Sequence, residues 1–327
     1  MDRIPPLVAA TSDFKERRGG LAFFGVVLML VGGALLLGAI SILFKSVAAD
    51  VVPAGTRFPL STALMPSLLG GIALALGFGS IKGRRWARAI ILCVSAIALC
   101  AGVAAVPFIF TMIDSVESML QQQGQPVPPA ALHIMQATML GVSIVLYVVF
   151  PGVLFWFYRR EDVRLTCNRL DPVERWTDRC PLPVLALVLL QAYGAVATVA
   201  MLPQFGAAFP LFGKIITAAP AYLLWVCVSA FSTALAWGCY RLKYRAWLAN
   251  MVGITCLGIS SAWTFAQNDL LDFYRAAGMG AAELEVLASN PLLRSGLMIW
   301  CTIGSAGLML VYLLLIRRYF VSQRIVS

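Results

Sequence analysis

The sequence predicts an all-α polytopic membrane protein of about eight transmembrane helices, arranged as two tandem parallel four-helix repeats. Three observations carry this prediction. Apolar residues make up 60% of the 327 positions and charged residues only 12%, a balance far from that of soluble domains. The apolar residues gather in blocks of about 20 or more, the length that crosses ~30 Å of hydrocarbon at 1.5 Å per helical residue. Lys and Arg are held on one side of successive blocks.

The blocks run over residues 21–44, 62–81, 87–110, 133–157, 182–202, 215–240, 246–266 and 295–315. They are apolar all round, so their outward faces must meet lipid or one another. Transmembrane barrel strands would instead show alternating segments of ~10 residues. The first block is longer than the ~7–15 apolar residues of a signal peptide, and the small pair Ala48-Ala49 lies far from Met1. It is expected to remain as a permanent span.

Twenty of the 25 Lys and Arg fall in the N-terminal tail, the second loop, the middle connector, the sixth loop and the C-terminal tail; the other five fall on the opposite side. Short loops rich in Lys and Arg stay cytoplasmic. This places the chain in the cell inner (cytoplasmic) membrane with both termini cytoplasmic. The formal net charge of +10 then follows from topology and from attraction to acidic lipid; no nucleic acid is expected as a partner. Of eight cysteines, Cys167 and Cys180 lie in the connector, where thiols stay reduced, and the other six lie in spans. With no CxxC and His133 as the single histidine, neither a disulfide framework nor a protein-bound metal is expected, and no cofactor is implied.

The halves look alike. Trp86 and Trp247 each follow a basic run and open a span, 161 residues apart (86 and 247). The pairs Arg159-Arg160 and Arg317-Arg318 close spans 158 residues apart (159 and 317). Asp114 and Glu117 sit in one long outer hairpin, Asp269 and Asp272 in the other. Four spans per copy is even, so both copies keep the same orientation, related by a pseudo-twofold axis along the membrane normal. The expected divisions are a tail at 1–19, a first repeat at 20–158, a connector at 159–181, a second repeat at 182–316 and a tail at 317–327.

In the connector, Asp171-Pro172-Val173-Glu174 has the form of a helix start, and Trp176 beside Arg175 and Arg179 would sit in the headgroup layer. It reads as a linker or as a docking surface. In the outer hairpins, Met112, Val116 and Leu120 recur at helical spacing before Gly124. Leu270, Phe273, Tyr274 and Ala277 do so before Gly278, and a further helical piece is expected over residues 283–289.

No ionisable residue sits in the middle of any block, where a working intramembrane site would announce itself. The candidate intramembrane polar positions are milder, chiefly Gln136 and Gln191. The candidate outer-hairpin positions are Asp114, Asp272 and His133, which would hold a cation only if they converged. Ala63, Ser67, Gly71, Ala75 and Gly79 form a stripe of small residues, a helix-packing or dimer face. Gly25, Gly32 and Ala39 form a seven-spaced seam on the first block. Phe150-Pro151-Gly152 is the expected kink.

No nucleotide-binding loop, metalloprotease helix or nucleophile elbow occurs in usable context. The function expected is that of a non-enzymatic scaffold, subunit or lipid-interacting module. The alternative is a transporter or channel for a neutral or apolar small molecule, with its pathway between the repeats. The bilayer is the expected partner; another membrane protein and self-association stay open.

Overall fold

The computed structural model describes residues 15–47, 60–122, 129–288 and 295–321. Among them, eight helical stretches are long and apolar enough to cross a membrane. They are α1 (Arg18–Val47), α2 (Leu64–Ile81), α3 (Arg85–Gln122), α4 (Pro129–Ile144) continued by α5 (Phe150–Arg159), α7 (Leu182–Phe205), α8 (Ala218–Tyr240), α9 (Tyr244–Gln267) and α12 (Ser295–Ile316). Shorter helices α6 (Glu161–Leu170), α10 (Leu270–Ala276), α11 (Ala281–Ala288) and α13 (Arg318–Val321) lie between or beyond them. Each apolar block has become one of these stretches, with ends shifted by a few residues except at the end of α3, which runs on to Gln122.

The helices pair as antiparallel neighbours: α1 with α2, α3 with α5, α7 with α8, and α9 with α12, while α3 also packs on α7. The α1–α2 pair shows why. A Cβ added to Gly25 would stand 2.7 Å from the Gly77 carbonyl oxygen, and one on Gly77 would stand 2.6 Å from that of Gly25. Gly32 and Gly70 face each other in the same way, at 2.8 and 2.9 Å. Ala39 and Ala63 are buried one step further along. Seven-residue spacing on both helices holds one seam against the other, and only a missing side chain lets the backbones come this close.

Pro151 shapes the fourth span. It has no N–H to give the Tyr147 carbonyl four residues earlier. The helix widens there into a π turn over Val145–Val149, the form a helix takes when its hydrogen-bond ladder is interrupted. The Tyr147 carbonyl is directed at Gly102 of α3, where a Cβ would collide with it. One proline thus sets the shape of α5 and the residue α3 needs opposite it.

The turns α2–α3 and α8–α9 have the same geometry. The amides of Lys82, Gly83 and Arg84 bond the carbonyls of Phe78, Ser80 and Gly79; those of Arg241, Leu242 and Lys243 bond Trp237, Cys239 and Gly238. These positions are 159 apart throughout (83 and 242). Gly83 and Leu242 both adopt left-handed φ, 62° and 54°. Gly79 meets Ala87 as Gly238 meets Ala246, and Lys82 lies over Phe78 as Arg241 lies over Trp237. The two tryptophans are out of this register: Trp86 packs on Gly79, whereas Trp247 donates Nε1–H to the Leu313 carbonyl at 2.9 Å.

Two local expectations change, in the sixth block and in the connector, and the outer hairpins are helical as expected. Residues 215–217 are strand: β1 (Ala208–Leu211) and β2 (Lys214–Thr217) form an antiparallel hairpin. Phe212 and Gly213 at its tip have φ of 41° and 85°, the positive values a two-residue hairpin loop requires. Ser260 and Thr264 of α9 accept the Phe212 and Gly213 amides, both at 3.0 Å. In the connector the helix runs before Asp171, as α6, and not from Pro172. In the first outer hairpin, α3 continues unbroken to Gln122, about 57 Å at 1.5 Å per residue; Gly124 lies outside the described residues. The second hairpin is two short helices, α10 and α11, separated by Gly278 at φ 92°.

Buried side chains concentrate at the arginine-rich end, called here the basic end. One cluster joins Leu21, Leu76, Ile91, Leu92, Phe157 and Tyr158 with Val163 and Cys167 of α6. A second joins Ala89 and Cys93 with Val184, Leu185, Trp247, Leu313 and Phe320. Adjacent faces of α3 therefore belong to different cores, and α3 is the wedge between the halves.

Candidate functional site

Polar chemistry converges at the basic end. Asp171, with its side chain 1% exposed, caps α6 and stands among arginines. Arg175 grips it with two bonds, 2.7 and 3.0 Å. Arg84 reaches it at 3.5 Å and the Arg85 amide at 3.4 Å. Arg175 donating to the carboxylate, with the Arg85 amide assisting, holds its pKa below the ordinary range despite burial. Asp171 thereby fastens the connector to the α2–α3 turn, which is why the sequence Asp-Pro-Val-Glu does not open a helix here. Asp178 extends the lattice, accepting from the Arg175 amide at 2.9 Å and pairing with Arg85 at 3.3 Å. The Tyr240 hydroxyl donates to the Trp176 carbonyl at 3.0 Å. On the other flank, Arg17 pairs with Asp162 at 3.3 Å and donates its amide to Thr166 at 3.2 Å. The connector is a fastened layer, not a free tether.

This layer borders a half-open cavity of about 580 Å³ between the start of α3, the end of α5, α6 and the turn before α7. Four arginines line it, Arg85, Arg88, Arg159 and Arg164, against two acids, Glu161 and Asp178. Among the described residues, Arg88 Nε and Thr177 Oγ1 are buried without a hydrogen-bond partner. Thr177 is 2% exposed. Cys167 and Cys180 also line the wall; burial pushes both thiols up to about 11, so they stay protonated and unreactive at neutral pH.

Within the spans, Gln191 of α7 donates to Asn250 of α9 at 2.7 Å, and Asn250 reaches Cys239 of α8 at 3.6 Å. Asn250 is fully buried. Its amide in an apolar block is the same signal that marks Gln191, and the two form one interhelical bond. Replacing Asn250 with leucine leaves the Gln191 amide unpaired and is expected to cost about 1–2 kcal/mol, the upper range for such bonds. Replacing both partners with leucine should recover part of that loss, since removing a pair together is cheaper than orphaning one member. Thermal unfolding of the single and double variants in detergent checks this; equal midpoints for all would refute it.

The other predicted positions are not brought to this site. Gln136 is half-buried on α4. His133 is exposed at the start of the same span. Asp272 is exposed and pairs with Arg275 within α10. Asp114 and Glu117 have side chains outside the described residues. Of the small-residue stripe, Ala63 and Gly79 are buried, Ser67 is half-buried and bonds back to the Ala63 carbonyl, and Gly71 and Ala75 face outward. The contact with α1 runs instead through Ala63, Gly70 and Gly77. Among the described residues, no three of His, Cys, Asp and Glu are grouped to hold a metal.

A smaller cavity of about 250 Å³ lies at the opposite end, lined by Thr198, Trp225, Phe273 and Tyr274 among others. It sits wholly within the second half, not between the halves. Comparison of the chain with protein-family models, characterised proteins and solved structures finds no match.

Proposed function

We propose that this chain is a non-enzymatic integral protein of the cytoplasmic membrane, with both termini inside, acting as a lipid-interacting scaffold or subunit. One observation carries the reading: the polar groups that reach across the fold fasten it. Within the spans some join helices, as Gln191 and Asn250 do, and others bond back to their own turn, as Thr198 and Thr233 do, while most ion pairs gather in a layer at the basic end. The asymmetry of Lys and Arg supports the orientation. A tandem duplication is proposed as the origin of the fold, supported by two turns alike in hydrogen bonding, φ and helix crossing at a constant offset of 159 (83 and 242).

Gentle purification followed by mass spectrometry of bound lipids and proteins tests the role. The expected result is retained acidic lipid or a stoichiometric membrane partner. A protein that comes away bare, and is stabilised instead by a neutral small molecule, overturns the reading in favour of transport. Reporter fusions at the connector and after α10 test the orientation, with the connector expected inside.

A further inference from the structure

We infer that the cavity at the basic end is a binding site for a phosphate-bearing anion, the phosphate being part of a larger molecule. The inference rests on the proposed function only for the side of the membrane on which the cavity opens. Four guanidinium groups and two carboxylates line the cavity; Arg85 and Arg88 are half-buried toward its floor while Arg159, Arg164 and Glu161 are exposed at its mouth, and this excess of positive charge in a cleft draws anions. One of the two acids, Asp178, is already engaged by Arg85 and by the Arg175 amide. Arg88 Nε and Thr177 Oγ1 are buried polar atoms with no partner among the described residues. Such orphans are rare, and each is open to a bound group or to an ordered water.

The donor set selects the ligand. Guanidinium forks match the oxygens of phosphate in pairs, and a hydroxyl adds a neutral bond. Arg85 opens α3, so the positive end of a long helix adds to the same charge. A metal cation is excluded by the sign of the charge. The volume, about 580 Å³, is that of a site for a small organic molecule rather than a bare ion. Leu92 and Leu182 line the cavity beside the polar groups and would face the carbon-bearing part. A glycerophosphate headgroup and a soluble phosphorylated metabolite share this chemistry.

The experiment uses the full-length protein in neutral detergent and follows its thermal unfolding. One arm titrates phosphatidylglycerol, with phosphatidylcholine as control. The other titrates glycerol phosphate at matched ionic strength, with sulfate as control. Stabilisation by phosphatidylglycerol alone assigns a lipid headgroup. Stabilisation by glycerol phosphate, with or without the lipid, assigns the phosphate group whatever its source. Either should weaken about tenfold or more in Arg88→Gln, the worth of a charge-assisted hydrogen bond.

Two further variants guard against misfolding. Arg164→Gln is on an exposed part of α6 and should weaken binding without changing the unliganded midpoint. Thr177→Val removes the orphan hydroxyl, so it should raise the unliganded midpoint while lowering the shift the ligand produces. No shift with either probe, or shifts unchanged in all three variants, overturns the inference. That outcome would leave the membrane reading standing, because insertion and orientation are read separately by the reporter fusions.

Discussion

Gly77→Ala is expected to lower the stability of the folded protein sharply, while the same change at Gly71, six residues away, does not. At Gly77 the new methyl group would stand 2.6 Å from the Gly25 carbonyl oxygen and near Met29 of α1. The obstacle is backbone, so no rotamer change relieves it, and α1 and α2 must separate along their seam. Overpacking costs about 1–3 kcal/mol at sites where side chains can yield, and this site belongs at or above the top of that range. Valine should be worse than alanine. At Gly71 nothing lies within 4 Å of the added methyl. There the change should be neutral or gain up to about 1 kcal/mol from better helix propensity. Thermal unfolding midpoints of the two alanine variants decide the matter. Equal losses would mean that the α1–α2 seam is not where the helices meet.

Asp171→Ala is the second large effect. The carboxylate is the meeting point of Arg84, the Arg85 amide and Arg175. Its loss frees the connector from the α2–α3 turn. Removing a buried acceptor of this kind costs on the order of 1–3 kcal/mol, with the lower part favoured because Arg84 and Arg175 are 41% and 33% exposed and can turn to water. The readout is local: faster proteolysis between Pro172 and Arg179, and a change in Trp176 fluorescence, before any loss of helix. Acid should reproduce it in the unsubstituted protein. The Asp171 pKa is depressed in the folded state. Its contribution is therefore complete above the ordinary aspartate value of ~3.9 and is lost as pH falls through the lower folded value. A connector equally protected in Asp171→Ala, or released already near neutral pH, contradicts this account.

What the sequence discloses here follows from which solvent a residue answers to. The eight spans were legible because hydrocarbon imposes a length and forbids charge, and both are written locally. The seam of Gly25, Gly32 and Ala39 was legible for the same reason, since it lies on one helix. Its partner was not. Ala63, Ser67, Gly71, Ala75 and Gly79 look like the better stripe on α2, but the sevenfold spacing of Gly70 and Gly77 matches that of α1, and only the pair reveals it. Asp171 followed by proline carried the local mark of a helix start, yet its carboxylate answers to arginines from another turn. The hairpin at 208–217 was hidden because its apolar strand runs straight into α8, and its tip is completed by Ser260 and Thr264 of α9 and by Asn268, which caps that helix. The cavity at the basic end was least legible. Arg85 and Arg88 on one side, Arg159 and Arg164 on another, each read separately as an orientation signal. Nothing local marks them as neighbours.

Both hydrophobic cores lie at the basic end, where α3 divides them and the connector binds them together. Toward the far end, the described helices show large apolar side chains to their surroundings, among them Leu37, Phe44, Val103, Ile134 and Ile259. A helix held in a core at one end and facing lipid along its length is a lever, and the β hairpin ties α8 and α9 into a single one at the far end. Over the ~30 Å of a span, a tilt of roughly 5° at the held end displaces the other by about 2.6 Å, half a turn of helix. A change in the thickness or lateral pressure of the surrounding bilayer would act on the far ends and be felt, with the leverage reversed, at the arginines.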